Sequence, residues 1–133
     1  MRHIFCIATA LALLSCTQPQ TQASIGSNGC GKAEIKEQQV DLGQIEYGDV
    51  VGVKYKIENI GTAPLSIANV ETTCGCTTVN YTSEPIAIGS SATVELVFDT
   101  SGLHGYQYKT ATLLINTSCT TEKRKIAFTA QIN

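Results

Sequence analysis

There is no tryptophan in the chain, and only 6% of its residues are aromatic. Saccharide platforms are built from exposed rings, so this scarcity weighs against a carbohydrate-stacking face. Charge is equally thin, with 9 Lys and Arg against 11 Asp and Glu in 133 residues. So mildly acidic a chain lacks the electrostatic footprint of a nucleic-acid binder. Its one basic cluster, Lys123-Arg124-Lys125, follows Glu122 and reads as a solvated turn entering a strand. No phosphate loop, His-rich metal run or obvious carboxylate pair occurs. Asp99, Ser101 and His104 are the residue types of a hydrolase triad, but one short loop rarely presents that geometry, and no oxyanion motif accompanies them. No long window shows a 3.6-residue apolar period. These absences leave no enzyme class in view and imply no cofactor.

What is present begins with an address. Met1-Arg2-His3 is a short basic start, and residues 4–14 are apolar apart from Thr9. A run this short cannot cross a hydrocarbon core that needs about 20 residues, so it reads as a signal peptide over residues 1–15. Leu13-Leu14-Ser15-Cys16 resembles a bacterial lipobox, which predicts cleavage after Ser15 and lipidation of Cys16. The alternative is an ordinary secretory signal whose apolar stretch happens to end at Cys16. Acyl chains contribute about 0.8 kcal/mol per buried CH₂, so a multiply acylated Cys16 holds a protein firmly to a membrane. Residues 17–29 are polar, short in side chain and almost uncharged, and with Cys16 they begin a flexible tether expected to reach residue 32. No acidic run follows Cys16, which favours the periplasmic face of the outer membrane. The expected location is therefore the bacterial cell envelope. The expected partners are the membrane, through the lipid, and an envelope protein, with no nucleic acid.

Residues 33–133 are about the size of one sandwich domain. Val51, Val53, Tyr55 and Ile57 alternate with Gly52, Lys54, Lys56 and Glu58, the period of a half-buried strand. Val94, Leu96 and Phe98 repeat that pattern, as do Ile126, Phe128, Ala130 and Ile132. Residues 33–36 and 38–45 read as one broken first strand with a bulge at Gly43. Further strands are expected over residues 64–70 and 106–116, with a short edge strand at 77–79. About seven strands, recurrent turns and no internal repeat imply an all-β, two-sheet β-sandwich.

The stretch Asn59-x-Gly61-x-Ala63-Pro64-Leu65-x-Ile67, followed by Cys74-Gly75-Cys76-Thr77-Thr78, resembles a bacterial family of small immunoglobulin-like domains of unknown function, family 1573. The resemblance continues upstream in Val40-Asp41-Leu42-Gly43-Gln44-Ile45. Downstream it includes Pro85-Ile86-x-Ile88-Gly89, Val97-Phe98-Asp99-Thr100, Gly102 and Gly105. The Cys-Gly-Cys-Thr run in that context is its most specific part. It implies an immunoglobulin-like sandwich, often carried by envelope lipoproteins and similar to modules of ciliary and centrosomal proteins. It implies no agreed activity. The expected function is a non-catalytic binding or structural module that holds a partner through a sheet edge or end loops.

Once Cys6 leaves with the signal and Cys16 is lipidated, Cys30, Cys74, Cys76 and Cys119 remain in a compartment that permits disulfides. Alternating strand directions place Cys30 and Cys119 at one end of the sandwich, and Cys74 and Cys76 at the other. The ends are roughly 20 Å apart and a bridge spans at most about 7 Å between Cα atoms. Cys30 can therefore pair with Cys119, whereas Cys74 cannot. On an extended strand Cys74 and Cys76 face the same side, where a bond between them is strained unless Gly75 allows a tight bend. Exposed, strained disulfides are the labile ones. Three roles stay open for this pair: a structural corner, a thiol-redox pair worked by an envelope partner, or a soft-metal site for Cu(I) or Zn²⁺. His104, the one histidine of the mature chain, is expected at the same end as a third ligand, although a lone loop histidine is usually just solvated.

Overall fold

Period-two side chains become strands throughout residues 29–133, the part of the chain that the computed structural model describes. The expected signal peptide, the lipidated Cys16 and the tether as far as residue 28 lie outside the described residues. Eight strands follow in order: β1 (Ala33–Glu34), β2 (Gln39–Ile45), β3 (Val50–Asn59), β4 (Leu65–Thr72), β5 (Thr77–Asn80), β6 (Ser91–Asp99), β7 (Gly105–Thr117) and β8 (Thr121–Ile132). One sheet has the order β1-β3-β6-β5 and the other β2-β8-β7-β4. This is an immunoglobulin-like β-sandwich.

The inward rows of the two sheets make the core. Tyr55, Ile57, Val94, Leu96 and Phe98 face Ile67, Leu113, Ile115, Ile126 and Phe128, and all are essentially without solvent contact. Burying each such side chain contributes about 1.5–3 kcal/mol. Phe98 and Phe128 meet between the layers with ring centroids 5.0 Å apart in a tilted arrangement. Tyr55 crosses the same gap and donates its hydroxyl to the Ala127 carbonyl at 2.6 Å. Desolvation, helped by the Glu37 charge, pushes that phenol up to about 12.

Three sequence expectations change. There are eight strands rather than about seven, because residues 33–45 do not form one broken strand. β1 pairs antiparallel with β3, whereas β2 pairs parallel with β8 in the other sheet. β3 is already flanked by β1 and β6, so residues 39–45 find their free partner edge on β8. The bulge itself lies between Asp41 and Gln44, where Gly43 adopts a left-handed φ of 65°. Lastly, Lys123-Arg124-Lys125 is strand rather than turn, paired with Leu114, Leu113 and Thr112 of β7, with Lys123 and Lys125 exposed.

Asn59 ends β3 on its inward parity and is fully buried, a polar group where the alternation calls for an apolar one. Its Oδ1 accepts from the N–H groups of Gly61 (3.0 Å) and Lys32 (3.3 Å). Its Nδ2 donates to the carbonyls of Ala63 (2.9 Å) and Ile86 (3.0 Å). The amide thus uses all four of its bonds and ties the approach to β1, the turn after β3 and the loop before β6. Gly61 sits against the backbone of Cys30, Gly31 and Lys32, where a Cβ would collide with the Cys30 carbonyl and the Lys32 nitrogen. At this turn the chain crosses from one sheet to the other.

Candidate functional site

β4 is an edge of one sheet and β5 an edge of the other, and the chain passes between them through residues 73–76. Cys74 and Cys76 are joined there as a disulfide, with Cα atoms 5.2 Å apart. Two steps of extended strand would separate them by about 6.6 Å. The pair lies in a turn rather than on the strand expected from its spacing. Gly75 has no left-handed φ, and no neighbour lies within 4 Å of where its Cβ would be, so the bend does not depend on glycine. Hydrogen bonds hold the turn instead. The Cys74 carbonyl accepts from the Thr72 hydroxyl (3.2 Å) and the Thr77 N–H (3.3 Å). The Cys76 carbonyl accepts from the Asp99 N–H at 3.0 Å. The Cys76 N–H points to the Cys74 sulfur at 3.1 Å.

Beside this corner an open cleft of about 290 Å³ lies against β3, β5 and β6. Val50 and Val97 are its apolar lining, Gly75 and Cys76 contribute the corner, and Thr78, Asp99 and Ser101 are polar. Register explains the grouping: Val50 is directly opposite Asp99, and Val97 is opposite both Gly52 and Thr78. Val50 is 64% exposed. Cys76 is half-buried and packs against the core, while Gly75 is exposed. The Ser101 N–H donates to Asp99 Oδ1 at 2.9 Å, and this bond, with the Ser101 side chain, holds the Asp99 carboxyl below the usual carboxylate range. The buried Thr100 hydroxyl lies 3.0 Å from both the Glu46 and Asp49 carbonyls, fastening the β2–β3 turn beneath the β6–β7 loop.

His104 is in the β6–β7 loop, but its ring stacks on Tyr47, with centroids 5.0 Å apart. Among the described residues no three His, Cys, Asp or Glu side chains group closely enough to hold a metal. Cys74, Cys76 and His104 are thus not assembled as one ligand set, and the bonded sulfurs offer no thiolate. Nor do Asp99, Ser101 and His104 form a relay: the Asp99 carboxylate takes the Ser101 N–H, and the His104 ring is stacked on Tyr47. At the opposite end Cys30 is bonded to Cys119, with Cα atoms 5.5 Å apart. There the Ser118 hydroxyl also donates to the Gly29 carbonyl at 2.7 Å, where the described chain begins. Sequence reasoning overlooked Val50, Thr78 and Val97 as lining of a site. Their only signal is the β3–β6–β5 register, which spacing alone does not show.

Residues 33–132 match a family described as protein of unknown function, DUF1573. The chain belongs to that family. No curated protein matches it. Among solved structures, this DUF1573 domain is similar to a protein of unknown function from Porphyromonas gingivalis W83. The TM-score is 0.64 at 22% identity, over 76% of this chain and 46% of that one. It is also similar to the ASH / PapD-like domain 7 of human CEP192, with TM-score 0.65 at 12% identity, over 94% of this chain and 98% of that domain. A third likeness is to the Vibrio cholerae VesB protease, with TM-score 0.65 at 15% identity, over 74% of this chain and 31% of the protease. The chain thus spans less than half of each of these two bacterial proteins. At these identities the likeness carries the sandwich fold and none of the chemistry.

Proposed function

We propose that this DUF1573 chain is an envelope lipoprotein, anchored through Cys16 at the outer membrane and facing the periplasm, whose domain is a non-catalytic binding module. One observation supports the binding role most: β4 and β5, edges of different sheets, converge on one corner beside an open cleft. Edge strands carry unpaired N–H and C=O groups that a partner strand can complete. The corner is at the end opposite Cys30, so a tether leaving from Gly29 would present it away from the membrane. A photo-crosslinking residue at Asn80 or Ala68 of the full chain, in the producing cell, should capture one envelope protein. The same residue at Thr93, in the middle of an outer face, should not. Absence of any adduct from both edges would sink the binding reading. For the anchor, Cys16→Ala should abolish incorporation of a labelled fatty acid; unchanged incorporation would refute it.

A second reading, thiol redox, is favoured by a specific feature of the Cys74–Cys76 bridge. It closes so short a loop that its chain-entropy contribution is only about 1.5 kcal/mol, yet it lines the cleft. A bridge of little structural value beside an open cleft is suited to exchange. Under this reading Cys74→Ser or Cys76→Ser traps a mixed disulfide with a second protein. If neither variant does so, the pair is structural.

A further inference from the structure

The two sulfurs of the corner are not equivalent. Cys76 lines the cleft together with Val50, Val97, Thr78, Asp99 and Ser101, whereas Cys74 does not line it. Cys74 Sγ instead receives the backbone N–H of Cys76 at 3.1 Å, whereas Cys76 Sγ has only the longer contact to the Thr77 hydroxyl at 3.9 Å. A hydrogen bond from a fixed amide stabilises a thiolate more than a neutral sulfur, because the acceptor gains charge as the bond breaks. Thiol–disulfide exchange depends on which sulfur is accessible and which is the better leaving group. Both criteria select the same direction here. The entering group arrives from the cleft, at Cys76, and the departing group is the amide-supported Cys74.

We infer that a protein dithiol seated in the cleft opens this disulfide by attack on Cys76 Sγ, with Cys74 leaving as thiolate and Asp99 selecting against anionic thiols. The inference rests on the thiol-redox reading above and adds the site of attack and the class of reductant. In the first step the partner's thiolate forms a bond to Cys76 Sγ as the Cys74–Cys76 bond breaks, and the electron pair departs on Cys74 Sγ. In the second, the partner's other thiolate attacks the partner sulfur of this mixed disulfide and releases Cys76 as thiolate. Protons lost by the two partner thiols are balanced by those taken up at Cys74 and Cys76. The pair gains two electrons and two protons, and the partner dithiol becomes a disulfide.

Asp99 gives the cleft its selectivity. Its carboxylate is held ionised by Ser101 beside the path of the entering thiolate. An additional negative charge on the reductant meets repulsion, and a positive one meets attraction. Backbone contacts are available next to the attacked sulfur along the free edge of β5, so an extended peptide around the partner's cysteine fits better than a free anionic thiol such as glutathione.

The test uses the full-length oxidised protein and two small probes, cysteamine and 3-mercaptopropionate. Reactions are quenched in acid, free thiols are alkylated, and peptides are read by mass spectrometry. Cysteamine is expected on Cys76, with Cys74 alkylated. After correction for thiolate fraction, cysteamine should react roughly fivefold faster than 3-mercaptopropionate at low salt. That preference should disappear in Asp99→Asn, which still accepts the Ser101 N–H, and in high salt. Adduct mainly on Cys74, or equally on both sulfurs, overturns the assigned direction while leaving redox activity standing. An unchanged preference in Asp99→Asn removes Asp99 from the selection. A disulfide that resists both probes until the protein is unfolded overturns the redox reading itself.

Discussion

At one end of the sandwich, Cys30–Cys119 joins residues 89 apart; at the other, Cys74–Cys76 joins residues two apart. A cross-link stabilises chiefly by restricting the unfolded chain, in proportion to the logarithm of the loop it closes. The long bridge therefore contributes about 4.5 kcal/mol and the short one about 1.5 kcal/mol. The surroundings differ in the same sense. Next to Cys30, the Asn59 amide spends every donor and acceptor on backbone groups, and Gly61 packs directly on the Cys30–Lys32 segment. Beside Cys76 there is an open cleft and an exposed Gly75. One end is built to hold, although Cys30 and Cys119 are both exposed, while at the other the half-buried Cys74 and Cys76 border an open cleft that a partner can enter. The long-loop tie and the open cleft are assigned to opposite ends of one molecule.

The largest expected effect tests the holding end. Cys30→Ser with Cys119→Ser should lower unfolding free energy by about 4 kcal/mol, read as a fall in urea midpoint with a steeper slope as the unfolded chain expands. A loss below about 1 kcal/mol would mean that the Asn59 network closes this end without the bridge. Asn59→Ala comes next. It leaves the Ala63 and Ile86 carbonyls and the Gly61 and Lys32 N–H groups without their partner, which should cost about 3 kcal/mol in thermal unfolding. Asn59→Asp should be no milder, because two carbonyls would then face a carboxylate. A small loss in either variant would show that water takes over the amide's bonds.

The Asn59 position also marks where sequence reading stops. β3 is legible because Val53, Tyr55 and Ile57 alternate with exposed Gly52, Lys54 and Lys56, and the same rule finds β6 and β8. Counting strand directions was enough to separate the two ends. Asn59 continues the inward row of β3, which reads as an apolar position or a strand end. Only the approach of Lys32, Ala63 and Ile86 from three segments makes a buried amide favourable. The sheet of β2 escapes the pattern for a related reason. Its half-buried pattern fits any free edge, and which edge is free depends on β1 and β6 having already taken both sides of β3. The cleft was not legible at all, since Val50, Thr78 and Val97 come together through cross-strand register and not through spacing.

A smaller effect tests the cleft end. Cys74→Ser with Cys76→Ser should cost no more than about 1.5 kcal/mol, and Gly75→Ala close to nothing, in the same urea titration. The Thr72, Thr77 and Asp99 hydrogen bonds to the Cys74 and Cys76 carbonyls keep the turn in place without the sulfurs. If the serine pair costs as much as loss of Cys30–Cys119, the corner is a clamp and the contrast between the ends collapses.

The smallest expected effect is on acid titration, and it sharpens the comparison by asking which end loosens first. Asp99 at the corner is held below its usual range by the Ser101 N–H and side chain. Glu58 is held down first by its bond to Lys56 (2.6 Å) and then by Lys36 (3.3 Å), near the end of β3 that leads into Asn59. Asp41 is held down by the Gly43 N–H and the Thr129 hydroxyl, which lock the β2 bulge to β8. A depressed carboxyl contributes stability above its unfolded value, about 3.9 for Asp and 4.3 for Glu, and loses it as pH falls through the lower folded value. Stability should thus be flat from pH 7 to about 5 with respect to these groups and decline below about 4. All three carboxylates are solvent-facing, so each step should be modest and weakened by salt. Hydrogen exchange below pH 4 should show faster opening around residues 99–101 than around the Asn59 turn. Glu58 supports that turn only from its exposed side, whereas Asn59 carries no titrating proton to lose. Faster opening at the Asn59 turn would mean that the ion pairs of Glu58, rather than the buried amide, hold that end.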